Sequence, residues 1–237
     1  MSFEEAASLG VAIVTVGQGM YQQIPLPWPN QPLKEKKPIL IWGGSSGMGA
    51  VGIQFAKLSG FEVIATASKH NFDYVKSLGA DVVFDSRSPT TGAEIRAYTN
   101  DKLYYAWDCI GEHGSTEGCF EALTSSAPEG QKIYYGDILL PPDSFPRDDV
   151  VTSWSLGYTA TGEQVTMGSH YFEAQPEHYE WIKKWVLVVS ELLQAGKIRA
   201  PRLDIRDGGL QGIAQGLDDL KTGKVSGSKL VYRIAEP

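Results

Sequence analysis

Apolar and polar positions fall in blocks along this chain. Residues 39–42, 62–66, 81–84, 103–109 and 132–135 are short apolar runs bounded by turn residues, and they read as strands. Between them, residues 48–59 carry apolar side chains at 48, 51, 55 and 58, a helical spacing, and residues 71–78 and 115–123 read as further helices. Strands that are apolar throughout are buried on both faces, and strands alternating with helices of this length predict a parallel sheet covered on both sides. The expected class is α/β, a doubly wound parallel sheet.

The flanks have different patterns. Ser2 and Glu5 form an S-x-x-E capping box, so a helix is expected to open at Phe3, its small and apolar residues suiting a buried packing role. Prolines at 25, 27, 29, 32 and 38 make the following segment an extended connector. After Gly136 the regularity fails: residues 137–154 read as irregular and 154–175 as mixed. Pro176 then suits a first helical position and Gly196 a stop, with Trp181, Trp185, Val188 and Leu192 sharing a core-facing side. A last helix, GLQGIAQGLDDLKTG, and a strand, LVYRI, close the chain. The division expected is a leading helix and Pro-rich connector over 1–37, a dinucleotide-binding core over 38–160, and C-terminal helices and strand completing the domain over 161–237.

The first strand runs directly into the turn of IWGGSSGMGAVGIQFAK. Gly44, Ser46 and Gly49 fall on the three small-residue positions of a dinucleotide fingerprint, with Gly47 beside Ser46 and Met48 before the last. Such a turn leaves backbone N–H groups unpaired at a helix start, where the dipole favours phosphate. Strand, turn, helix and second strand follow in the Rossmann order. At the end of the second strand, where NAD-binding versions place a carboxylate for the ribose, stand Thr66, Ala67, Ser68, Lys69, His70 and Asn71. A carboxylate about 5 Å from a phosphate would cost roughly 3 kcal/mol per charge pair at an effective dielectric near 20. Its absence before Asp73, with Lys69 and hydroxyls ready to donate, points to the 2′-phosphate of NADP(H).

Composition narrows the field. The chain has 237 residues, 42% of them apolar, enough to bury a core. A net charge of −7 and no basic cluster beyond LKEKK argue against nucleic acid. Two cysteines, Cys109 and Cys119, and four histidines without ligand spacing lead to an expectation of no metal site. The acidic start and the lack of a long apolar run lead to an expectation of a cytoplasmic protein with no membrane partner.

The stretches FEEAASLGVAIVTVGQGMY, IWGGSSGMGAVGIQFAKLSGFEVIATASKHNFDYVKSLGADVVFD, WDCIG, GYTATGE, LLQAGKIRAP and GKVSGSKLVYR together resemble the medium-chain dehydrogenase/reductase superfamily. Within it they are most similar to the zinc-independent quinone-oxidoreductase branch and the fungal trans-acting enoyl reductases that serve polyketide synthases. The resemblance covers nearly the whole chain. It implies that Gly44, Ser45, Ser46, Gly47, Met48 and Gly49 cradle the pyrophosphate. It also implies that Ser68, Lys69 and Asn71, beside Thr66, surround the 2′-phosphate. Cys109, Ile110 and Gly111 would lie near the nicotinamide ribose, and Gly157 and Tyr158 against the cofactor. Family members begin with a GroES-like barrel that forms one wall of the cleft, and this chain starts at the helix leading out of it, a truncated medium-chain reductase. The segments 197–206 and 230–233, which would rejoin that barrel, must pack otherwise, pair with another subunit or leave an exposed edge.

The leading expectation is an NADPH-dependent reductase of an activated carbon–carbon double bond, with an apolar enone or polyketide intermediate as substrate. Tyr158 is a conceivable proton donor. The Ser-Tyr-x-x-x-Lys pattern of short-chain reductases is absent, and Tyr74 is followed by Val-Lys-Ser. The alternatives are a repurposed fold that guides a cofactor-independent cyclisation or isomerisation, a non-catalytic NADP-binding partner of a synthase, and a fragment of a longer reductase. A homodimer is a further possibility.

Overall fold

The computed structural model describes residues 1–235. A helix, α1 (Phe3–Val16), opens with both halves of the capping box formed, the Ser2 hydroxyl accepting from the Glu5 N–H and the Glu5 carboxylate from the Ser2 N–H. It continues as a wider π-helical stretch, Gly17–Gln23. Here two glycines let the backbone approach indole rings: a Cβ on Gly17 would stand 2.5 Å from Trp185 Nε1, and one on Gly19 2.5 Å from Trp107 Nε1.

The core alternates as expected. It runs β1 (Pro38–Trp42), α2 (Gly47–Leu58), β2 (Glu62–Ala67), α3 (Phe72–Ser77), β3 (Val82–Asp85), α4 (Thr91–Tyr98), β4 (Tyr105–Asp108), α5 (Ser115–Ala122), β5 (Ile133–Asp137) and β6 (Val150–Trp154). The six strands form one parallel sheet in the order β3-β2-β1-β4-β5-β6. In β1, Ile39 and Ile41 join the core shared with α1, α2 and α6 (Pro176–Gln194), while Leu40 and Trp42 join the core with α4 and α5. Burial on both faces is why β1 reads as an unbroken apolar run.

Three features depart from the sequence pattern. The stretch expected to be irregular contains β6, parallel to β5 with Asp137 opposite Trp154. Helix α4 lies in a segment with no assigned element. A small hairpin, β7 (Val165–Met167) and β8 (His170–Phe172), occupies part of the mixed region. In α6, Pro176 starts the helix and Gly196, at φ +65°, follows its end. Ile182, Trp185 and Val189 form its buried stripe, and Val188 sits at the stripe's edge. The returning segments pack on each other: β9 (Leu203–Arg206) pairs in parallel with β10 (Lys229–Tyr232), and α7 (Gly209–Lys221) connects them. Arg233 ties this unit to α1 through a 2.6 Å bond from its Nε to Glu4 Oε1.

Candidate functional site

Strand order reverses between β1 and β4, which leaves a crevice at their carboxyl ends. The glycine turn occupies it. Gly43 takes φ +80°, a conformation that favours glycine, and its N–H donates to Thr66 Oγ1 at 3.0 Å. The Gly44 N–H donates to the Thr66 carbonyl at 2.8 Å. Thr66 is thus fully buried beneath the turn and holds it to β2. A Cβ on Gly44 would stand 3.0 Å from Ala65 Cβ, and one on Gly49 would run into the Gly43 carbonyl oxygen, so both glycines serve close packing.

Ser46 caps α2, its hydroxyl accepting from the Gly49 N–H at 3.0 Å. The N–H groups of Gly47 and Met48, the first two of the helix, have no carbonyl a turn earlier to reach. A Cβ on Gly47 would meet nothing within 4 Å, and residues 45–48 are all half-buried at the crevice mouth. Free amides, a dipole end and open space form a cradle of the shape and polarity that an anionic diphosphate requires.

The loops after β4 and β5 flank this cradle. The Cys109 N–H pairs with the Trp42 carbonyl at 3.0 Å, and burial pushes the Cys109 thiol well up, which makes it an inert packing group. The Ile110 side chain covers Gly43, with Cγ1 2.6 Å from where a Cβ there would stand. Gly111 follows at φ +70°. On the α1 side lies a mainly apolar cavity of about 490 Å³ lined by Val11, Val14, Thr15, Met48, Ile138 and Tyr158. Gly157 also lines it, in a 3₁₀ turn spanning Gly157–Thr161, and Tyr158 is 58% exposed at its rim. On the opposite side a cavity of about 830 Å³ separates the loops after β3 and β4, with Arg87, Ile110, Glu112 and His113 among its walls.

The residues at the end of β2 divide. Asn71 is buried, its Nδ2 donating to Ser226 Oγ at 3.0 Å, and its Oδ1 is a buried acceptor with no partner. His70 Nε2 stands 2.8 Å from the same serine hydroxyl. Ser68 is half-buried and Lys69 exposed, its Nζ 3.6 Å from Asp85 Oδ2. The expectation that no carboxylate stands near this corner holds only along β2. Asp85, at the end of the neighbouring strand, is paired in register with Ala67 and brings one in.

Sequence reading also missed Ile138, Thr15 and Val11 on the apolar cavity, and Asp108 and Asp137 beneath the loops. Val11 is 59% exposed, although α1 reads as a packing helix. Among the described residues no group of three or more His, Cys, Asp or Glu side chains could hold a metal ion, and no helix is long and apolar enough to cross a membrane.

A family model described as zinc-binding dehydrogenase matches residues 47–154, from the start of α2 to the end of β6. The trans-enoyl reductase ACTTS2 of Alternaria alternata is 45% identical over 234 residues, covering 99% of this chain and 66% of its own length. The trans-enoyl reductase resD of Aspergillus sclerotiorum is 39% identical over 249 residues, 99% of this chain and 68% of that protein. The chain thus spans about two thirds of the length of the curated relatives it matches. Among solved structures, the CurK enoyl reductase superposes with a TM-score of 0.74 at 18% identity, covering 98% of this chain and 64% of that one, a likeness of fold. Identity of this level, sustained from α1 through β10, means that the chain belongs to the trans-enoyl reductases of the medium-chain dehydrogenase/reductase superfamily.

Proposed function

We propose that this chain binds NADPH across the glycine turn and belongs to a reductase of activated carbon–carbon double bonds in polyketide intermediates. The observation that carries this reading is the open cradle at Gly47 and Met48, set between an apolar cavity and one of mixed lining. Bound in the cradle, NADPH would supply the hydride. The chain's own residues bind and orient. The amides of Gly47 and Met48 face the diphosphate, with Ser45 and Ser46 beside them. Ser68 and Lys69 would face the adenosine 2′-phosphate; Asn71, expected beside them, is instead buried and donates from its amide to Ser226. Cys109, Ile110 and Gly111 flank the nicotinamide ribose. Met48, Ile138, Val11 and Val14 exclude water from the reacting carbons, and Gly157 and Tyr158 close the rim. Relatives named trans-enoyl reductases support the substrate class, and a synthase is the partner that would deliver it. Residues 38–160 form the cofactor-binding core in this reading, and the cytoplasm, where NADPH is supplied, is the compartment.

The test is an assay of the purified chain with an apolar α,β-unsaturated thioester, following NADPH absorbance and the saturated product. Stoichiometric loss of both substrates supports the proposal. Product formed without NADPH consumption would replace it with the cyclase or isomerase reading. Tyr158→Phe is expected to lower turnover by up to ten-fold if the phenol donates the proton, and to leave it unchanged if the residue is only a wall.

A further inference from the structure

A polar cluster beneath the two flanking loops has no part in the proposed reaction. Asp108 ends β4, Asp137 ends β5, and the two stand opposite each other in register. They are the buried acidic residues of the described chain, 0% and 2% exposed. Each uses Oδ1 in the same way. Asp108 Oδ1 accepts from the N–H groups of Ile110 and Gly111 at 2.9 and 3.1 Å, and Asp137 Oδ1 from those of Ile138 and Leu139 at 2.5 and 2.9 Å. Both Oδ2 atoms face the Tyr135 hydroxyl, at 3.2 and 3.1 Å, and Thr116 Oγ1 stands 3.1 Å from the same oxygen.

The phenol carries one proton. With both carboxylates ionised, one Oδ2 would face a bare phenol oxygen in a dry site; the nearby Ser115 hydroxyl makes no hydrogen bond of normal geometry, and among the described residues no ion pair reaches either acid. One carboxyl proton completes the set. Asp108 Oδ2–H donates to Tyr135, Tyr135 donates to Asp137, and Thr116 donates to the remaining lone pair of the phenol. Asp137 takes the charge because its backbone bonds are shorter. The groups facing the cluster are Cys109, the α5 residues Ser115, Thr116 and Cys119, and the rings of Phe120 and Phe145, none of them cationic. Burial raises Asp108, Asp137 and Tyr135 alike above their ordinary values.

We propose that Asp108 holds a proton at neutral pH, and that Asp108, Tyr135 and Asp137 act as one positioning unit setting Ile110 and Ile138 on either side of the glycine turn. The placing of those loops against NADPH rests on the function proposed above; the proton does not. Infrared spectra of the wild-type chain in D₂O at about pH 7 should contain a protonated-carboxyl C=O band that Asp108→Asn removes. Tyr135→Phe, which withdraws the acid's acceptor, should shift that band. Asp108 has a raised folded value, so the stability it supports is complete below the ordinary carboxylate range and is lost as pH rises through the folded value. The wild-type melting temperature should therefore fall as pH rises above neutral towards the folded value, and Asp108→Asn should flatten the fall. NADPH affinity should weaken at least three-fold over the same interval in the wild type and stay level in the variant. Absence of the band, or its survival in Asp108→Asn, overturns the proton assignment. A pH-independent NADPH affinity in the wild type overturns the coupling to the loops, and failure of NADPH to bind at all overturns the cofactor site while the infrared result still decides the proton.

Discussion

Two glycines of the turn make opposite demands, and substitutions separate them. Gly47 faces open space, so Gly47→Val should keep the melting temperature within a few degrees while weakening NADPH binding at least a hundred-fold. Gly49 is pressed on the Gly43 carbonyl, so Gly49→Ala should instead destabilise the fold, by about 1–3 kcal/mol, the usual cost of overpacking. Denaturant melts and cofactor titrations of both variants check the pair. Cofactor choice is also decided residue by residue. Asp85 stands 3.6 Å from Lys69 and places a negative charge by the corner proposed for the 2′-phosphate. Asp85→Asn should raise the preference for NADPH over NADH about three- to ten-fold and Lys69→Ala should lower it, with both effects shrinking in high salt because Lys69 is exposed.

The elements differ in how plainly the sequence announces them. The β1–turn–α2–β2 unit was legible because apolar strands, a glycine turn and a helical spacing each state one local preference, and they agree. Helix α6 was legible for the same reason, from Pro176 to Gly196. Trp185 is its anchor: fully buried, it stacks on Tyr21 at 4.6 Å and donates from Nε1 to the Ile13 carbonyl at 3.0 Å. Trp185→Ala should cost about 3–5 kcal/mol, read as a shift of the denaturation midpoint. Strand β6 was not legible, because VVTSW is half polar and becomes a strand only by pairing with β5. Residues whose partners are distant in the chain were illegible for a related reason. Asp85 reaches Lys69 through sheet adjacency, Ser226 reaches Asn71 across 155 positions, and Asp108 and Asp137 meet only through the register of β4 and β5.

At the scale of the molecule, the doubly wound sheet places one opening between two unlike cavities. In the proposed reading the apolar one takes the reacting hydrocarbon, and the mixed one, walled by Trp42, Ile110, Arg87, His113 and Glu112, takes the nucleoside. The returning segments pair with each other in β9–β10 and bond back to α1, and the outer edges of this two-stranded sheet are unpaired among the described residues. The amides of Gly47 and Met48 are proposed to hold the cofactor's diphosphate. The most direct test is calorimetric titration of the purified chain with NADPH and with NADH, repeated on Gly47→Val. Saturable one-site binding, tighter for NADPH and lost in the variant, is the predicted result. No heat from either nucleotide, or equal affinity in wild type and variant, would contradict it.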